Sequence, residues 1–341
     1  MLNVDNQLLC DVEKCDAIGV AKHVLGLRSK QDKIKADIGN VFHESLEAHF
    51  KGSDKAITLS VFERSYDEKA RNWKYQPEDE SLTKVNCKRV MERFCDVRPV
   101  SKFPFIPVEF EKVVGAELAP GIVFWGKRDL RVQDKMSGMY SPLDHKTRFG
   151  VITDWWAKKY RMLAQMSGYC WLEGQISGIP CLECYVNAVE VKGISSSDRK
   201  CPEHKVSYRE CGVRHLKQEL LTYSRTPEML ESWKRSAIII AKKFEVLQMA
   251  FGDLNYLQYV DRNGVFKESC TFCDWKEWCA AGFKPEMWGE FAVYDKWEPW
   301  KEMTELKKDP FEGLVPGTEE YMKFWRENSG MQEEMVRRFG K

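Results

Sequence analysis

No run of apolar residues in the 341-residue sequence approaches the length needed to cross a bilayer, which excludes a helical membrane protein. The first residues, MLNVDNQLLCDVEKCD, lack the basic-then-apolar layout of a secretory leader, so the expected setting is a cytoplasm: bacterial, archaeal or that of a phage-infected host. Net charge is also nearly absent. The formal value is +1, and overall charge therefore announces no nucleic-acid partner. There is no internal repeat, no low-complexity tract and no G-x4-G-K-[S/T] segment, which excludes a solenoid, a disordered linker and a P-loop motor. What remains, with 43% hydrophobic and 31% charged residues, is a soluble globular chain long enough for one large domain or two ordinary ones.

Cysteine, by contrast, is plentiful. Twelve thiols in a reducing cytosol are not a disulfide framework, so some are candidates for metal and the rest are small buried hydrophobes. CTFCDWKEWC sets Cys270, Cys273 and Cys279 in a C-x2-C-x5-C pattern, an incomplete tetrahedral set that needs a fourth ligand from elsewhere. A rival pattern joins Cys181, Cys184, Cys201 and His204 with zinc-ribbon spacing. Cys181 and Cys184 fall in a strand-like run, however, where residues three apart face opposite sides. Cys87, Cys95, Cys170 and Cys211 read as packing or surface thiols.

Apolar periodicity predicts helices over CDAIGVAKHVLGL and DIGNVFHESLEAHF, then looser helices and loops to about Lys102. The character changes at FPFIPVEFEKVVGAEL, GIVFWGKRDLRVQDK and MYSPLDHKTRF, three strand-like runs joined by short turn signals, which predict a meander. TDWWAKKYRMLAQMSGYCWLEG reads as one long helix from a Thr/Asp cap, and CLECYVNAVEVKG as a fourth strand. The polar loop ISSSDRKCPEHK precedes a helix-rich stretch in which Thr226-Pro227-Glu228 starts a helix through Met249.

Four pieces of the sequence carry chemistry. Asp129 and Asp144 lie on consecutive strands and can converge on one hard cation, which usually takes one or two protein carboxylates. Lys146, two residues after Asp144, faces the same side of its strand and can orient an attacking water or offset phosphoryl charge. Gly39, His43 and Glu47 share one helix stripe; the glycine would let that stripe approach another element, and His43 would add a nitrogen ligand. Arg161, Gln165 and Tyr169 share another stripe, suited to phosphates and to stacking on a base. Lys127, Arg128 and Arg148 concentrate positive charge around the acids, as a local lining for phosphates. Each piece alone is an ordinary packing or surface pattern.

Their order is the specific signal. A G-x3-H helix, an acid in a strand after G-K-R, D-x-K in the next strand and Q-x3-Y on the following helix together resemble the RecB-type branch of the PD-(D/E)XK nuclease superfamily, over roughly Cys15 to Val191 and again at the cysteine knuckle. The resemblance implies an α/β, restriction-endonuclease-like core: a mixed central sheet flanked by helices. It implies that His43, Asp129, Asp144 and the His145 carbonyl hold Mg²⁺ or Mn²⁺, that Lys146 assists the water, and that Gln165 and Tyr169 support the site and the DNA. LLCDVEKCDAIGVAKHVLGL further resembles the N-terminal segment of the iron–sulfur members of that branch, such as the AddB helicase-nuclease subunit, CRISPR-adaptation exonucleases and phage exonucleases. That implies a [4Fe–4S] cluster on Cys15, Cys270, Cys273 and Cys279, forming a lobe that joins the N- and C-terminal segments; Cys10 competes for the fourth place, and Zn²⁺ for the cluster's. The pattern departs from the branch at Asp144, where glutamate is frequent, and at His145, where an apolar residue is usual.

The expected organisation is a nuclease domain over 1–280 and a Trp-rich, helical extension over 281–341. Trp288, Trp297, Trp300 and Trp325 would pack on the domain or meet a protein partner, and a last amphipathic helix would run from about Thr318 to Phe339. The expected activity is a metal-dependent DNA exonuclease acting on single-stranded ends in recombination, repair or CRISPR adaptation. The alternative is a catalytically silent DNA-binding accessory subunit.

Overall fold

The computed structural model describes residues 1–30, 33–193, 197–262, 270, 273–296, 298 and 300–301. Met1–Pro299 form one compact unit. Trp297, Trp325 and the helix expected over 318–339 lie outside the described residues. No helix among the described residues is long and apolar enough to cross a membrane.

The chain opens with a short strand, β1 (Leu2–Asp5), and turns directly into α1 (Asn6–Lys14). The turn is made by Asp5, whose carboxylate accepts the Leu8 amide at 2.7 Å as an N-cap. After β2 (Leu27–Ser29) come α2 (Ile34–Phe50), α3 (Lys55–Ala70) and α4 (Lys84–Val97). Asp54 and Thr83 cap the last two. Ile38, Val41, Phe42 and Leu46 recur at helix spacing along α2 and are fully buried with Phe62, Val90, Met91 and Phe94 of the two following helices. This three-helix layer lies on one face of the sheet, against Leu130, Val132 and Leu143. Each such side chain contributes about 1.5–3 kcal/mol by leaving water.

The predicted meander is present as β3 (Phe105–Ala119), β4 (Ile122–Asp134) and β5 (Tyr140–Phe149), antiparallel throughout. The helix expected over the following segment is broken. A short turn of helix, Asp154–Lys158, capped by Thr153, gives way to a 3₁₀ turn at Lys159–Arg161, and α5 (Ala164–Ser177) begins only after Met162 and Leu163. Arg161 is therefore not on the helix that carries Gln165. The predicted fourth strand is β6 (Glu183–Val191), which pairs parallel with β5. The stretch expected to be helix-rich instead contains β7 (Gln218–Ser224), antiparallel to β6. Thr226 then caps α6 (Pro227–Ala250), as its Thr-Pro-Glu signal predicts. A late strand, β8 (Ala292–Tyr294), pairs with β2 and ties the end of this unit to its beginning.

The result is a 6-stranded mixed sheet in the order β1-β4-β5-β6-β7, with β3 on the other edge of β4. The helices α1, α5 and α6 cover the second face around Phe124, Trp171, Leu172 and Trp233. This is an α/β, restriction-endonuclease-like core.

The sheet forks at the position of interest. The β4–β5 ladder runs from Gln133↔Tyr140 to Leu130↔Leu143 and stops there. Beyond it β5 continues alongside β6, from Leu143↔Tyr185 to Phe149↔Val191. The next residues on the diverging strands are Asp129 and Asp144.

Candidate active site

At the fork, the His145 amide, released from the β4 ladder, donates to Asp129 Oδ2 at 2.7 Å. His43 on α2 brings its Nδ1 to 3.5 Å from the same oxygen. The His145 carbonyl faces the His43 ring and so borders the same space. The His145 side chain turns away: it is buried, stacks on Phe50 at 5.4 Å and bonds through Nδ1 to Asn187 Nδ2 at 3.0 Å.

A further acid, Glu111, completes the group. Its carboxylate, that of Asp129 and the His43 ring offer ligand atoms all within 4.8 Å of one another. The β3–β4 register pairs Phe110 with Leu130 and Lys112 with Arg128, which leaves Glu111 level with Asp129. Glu111 takes a left-handed φ of 47°, a strained conformation for a non-glycine residue and one that recurs at functional sites. The sequence reading missed it, because a glutamate in EFEK is ordinary until the strand register sets it beside Asp129.

Asp144 stands beside this trio. Lys146 Nζ lies 2.5 Å from its Oδ2, as expected for residues two apart on one strand face. Gln165 on α5 donates to Asp144 Oδ1 at 3.4 Å and to the Tyr169 hydroxyl at 3.1 Å, and Tyr169 in turn donates to the Lys127 carbonyl at 2.7 Å. Tyr169 is buried and bonded to the main chain, so it braces the fork and has no face for a base to stack on. Gly126 permits this bracing: a Cβ there would come within 3.2 Å of the Tyr169 ring and 3.0 Å of Leu172. Gly39, expected to allow the close approach, does not serve that purpose, since a Cβ on it would meet nothing within 4 Å. Glu47 pairs with Lys51 at 2.6 Å and is not part of the site.

The electrostatics are those of carboxylates crowded out of water. Burial, and then the Asp144 carboxylate, raise the Asp129 carboxyl to about 7. Burial and Asp129 likewise raise Glu111. Burial opposes charge on Lys146, but Asp144 and Asp129 outweigh it and hold the ammonium above its usual range. Burial, then Lys146, keep the His43 imidazole below its ordinary value and so neutral at pH 7. Two or three carboxylate oxygens, a neutral imidazole nitrogen and a carbonyl are a donor set that suits Mg²⁺ or Mn²⁺.

Beside Lys146 opens a hollow of ≈ 450 Å³ bordered by Lys35, Arg148, Trp156, Lys159 and Tyr160. Burial, then Arg148 and Lys146, lower the Lys159 ammonium. Cations crowded this way favour an anion between them. Of the basic residues picked out in the sequence, Arg148 lies here and Lys127 pairs with Glu111 at 3.2 Å while remaining part-exposed. Arg161 is exposed on its 3₁₀ turn. Arg128 does not fit the expected role. It is 1% exposed and bonds to Glu173 of α5 and, at 2.7 Å, to Glu109, so it cannot reach a nucleic acid.

The cysteines sort into separate groups. Cys15, Cys270, Cys273 and Cys279 border one cavity of ≈ 370 Å³, together with Arg262 and Trp275. Burial, the main effect, raises the Cys279 thiol; the other three cysteines act on it in the same direction against Arg262. Four thiols around one space fit a metal cluster or a thiolate-bound ion. Cys10 lines a different pocket, with Asn6 and Trp233, and is not a member. The rival zinc-ribbon set does not assemble as spaced. Cys181 lies before β6 rather than in it, so it and Cys184 do not face opposite sides as expected but are both buried against Cys170 of α5, whereas Cys201 and His204 meet Cys211.

A mixed sheet that forks to set acids and a lysine side by side defines a restriction-endonuclease-like protein. Residues 11–280 match the model of the PD-(D/E)XK nuclease superfamily, and the chain belongs to that superfamily. Among solved structures it is similar to that of a candidate exonuclease from Eubacterium rectale, at 12% identity and a TM-score of 0.47, over 80% of this chain and 86% of that one. No curated protein matches the chain significantly.

Proposed function

We propose that the chain is a divalent-metal-dependent DNA exonuclease that hydrolyses phosphodiester bonds at single-stranded ends. The observation that carries this reading is the meeting of His43, Glu111 and Asp129 at the fork, with Asp144 and Lys146 on the adjoining strand. His43, Glu111, Asp129, Asp144 and the His145 carbonyl would hold Mg²⁺ or Mn²⁺. The ion would supply Lewis acidity toward a phosphoryl oxygen and acidify a bound water. Lys146, charged and aimed at the acids, orients the attacking water and offsets charge on phosphorus. Gln165, braced by Tyr169, holds Asp144 in place. The basic hollow with Lys35, Arg148 and Lys159 receives the phosphates next to the scissile bond.

Cys15, Cys270, Cys273 and Cys279 would hold a [4Fe–4S] cluster, or Zn²⁺ in its place, as a structural staple between distant parts of the chain. Strand ends of this kind arise in recombination, repair and CRISPR adaptation, and the reading places the protein in the cytoplasm with such a partner system.

The test is nucleotide release from single-stranded DNA labelled at either end, with a closed circle as the blocked substrate. Release should require Mg²⁺ or Mn²⁺, spare the circle and fall at least 100-fold in Asp144→Ala and Lys146→Ala, in line with loss of a transition-state electrostatic contact. Unchanged release in Asp144→Ala would remove this fork as the active site, and binding without release in any metal would favour the accessory role.

A further inference from the structure

Between β6 and β7 the chain leaves the sheet at Val191 and returns at Gln218. A connection well beyond about 12–15 residues needs something to order it. Its described part has almost no apolar core: only Cys201, Cys211 and Leu216 are buried. The two buried thiols face one imidazole. His204 Nδ1 lies 3.6 Å from Cys201 Sγ and 3.4 Å from Cys211 Sγ. All three donor atoms lie within 4.8 Å of one another.

We propose that Cys201, His204 and Cys211 hold a structural zinc ion, a site separate from both the fork and the four-cysteine cavity. The spacing fits. With Zn–S near 2.3 Å and Zn–N near 2.0–2.1 Å, sulfur and nitrogen ligands of a tetrahedral ion lie about 3.5 Å apart. The main chain is also arranged for thiolate. Cys201-Pro202-Glu203-His204 forms a turn closed by the Lys205 amide on the Cys201 carbonyl at 2.8 Å, with Lys205 at a left-handed φ of 60°. In this turn the amides of Glu203 and His204 point at Cys201 Sγ, and the His215 amide points at Cys211 Sγ. Amide donors of this kind stabilise sulfur that carries charge. The proposal takes His215 as the fourth ligand: it follows Cys211 on the 3₁₀ turn Gly212–His215, and its buried Nδ1 has no hydrogen-bond partner among the described residues. The motif reads C-x2-H-x6-C-x3-H, with two sulfur and two nitrogen donors. An ion there gives the lobe the centre that its apolar residues do not supply.

The experiment measures zinc and iron per chain in the full protein grown with added zinc. The same measurement is made on Cys201→Ser/Cys211→Ser and on Cys270→Ser/Cys273→Ser. About one zinc per chain should vanish in the first pair and persist in the second. X-ray absorption at the zinc edge of the unaltered protein should show two sulfur and two nitrogen neighbours, a measurement that stands even where a variant does not accumulate. Zinc content indifferent to Cys201→Ser/Cys211→Ser, no bound zinc, or a zinc edge with four sulfur neighbours would overturn the assignment.

Discussion

Arg128 and Asp129 are neighbours in β4, yet their side chains meet different helices: Arg128 reaches Glu173 on α5, and Asp129 reaches His43 on α2. One strand thus carries a structural ion network and an acid of the fork on consecutive residues. Strand alternation explains the divergence, and it means that a basic residue beside an acid of the fork need not share its surroundings.

Glu173 is the centre of the structural network. It is fully buried, bonds to Arg128, and accepts from Arg131 Nη2 at 2.7 Å. Removing it leaves the buried Arg128 guanidinium with Glu109 as its remaining partner. Glu173→Ala should cost about 3–5 kcal/mol in urea unfolding, whereas Arg128→Met/Glu173→Leu, which removes both charges, should cost less than the single change. A double variant weaker than Glu173→Ala would show that the pair itself is a net stabiliser.

Gln165 touches Asp144 and no other acid of the fork. Gln165→Ala should lower kcat by on the order of 10- to 100-fold through misplacement of the acid, with little change in KM for DNA. Gln165→Glu, which sets a second carboxylate against Asp144, should be slower still. A rise in KM with kcat intact would assign Gln165 to DNA contact instead.

Much of this is legible in the sequence. The β3–β5 meander announces itself by alternation and turn residues, and period-2 geometry sets Lys146 on the same strand face as Asp144. Glu111 was not legible, because its role depends on which residue of β4 it faces, and that register emerges only from pairing. Arg128 was misread for a related reason: its partner Glu173 is far along the chain on α5. β7 was missed because QELLTYS follows a lobe with no hydrophobic periodicity, and its strand character comes from pairing with β6. Cys211 was set aside as a packing thiol because its partners are fixed by a turn, not by a recognised spacing.

The four-cysteine cavity predicts a stability that depends on its occupant. A cluster on Cys15 and the late trio would close a loop of most of the chain, worth roughly 5 kcal/mol by the chain-entropy account of cross-links. Protein purified without air should be brown and hold iron, and Cys273→Ser should lose both the colour and several degrees of Tm. Colourless protein with four-sulfur zinc would put Zn²⁺ in the cluster's place. β2–β8 pairing should keep the variant folded at low temperature, since it ties the same ends without thiols.

Asp129 should make the metal-free protein less stable as pH rises. Its carboxyl titrates near 7 in the fold against an ordinary 3.8, so between those values the folded state holds a proton that the unfolded chain has released. Stability from this group is full below about pH 4, declines through about pH 7 and is flat above. Asp129→Asn carries no such charge. At pH 8 it should be more stable than the metal-free parent by roughly 2–4 kcal/mol, and at pH 4 about equal to it. The order should invert in function. Mn²⁺ should raise the Tm of the parent and leave the variant nearly unmoved, and the variant should release no nucleotides. Thermal melts at the two pH values, with and without Mn²⁺, decide it. A variant less stable than the parent at pH 8 would mean that the crowded carboxylates are already neutralised in the empty site, with Lys146 carrying more of that balance than its position beside Asp144 implies.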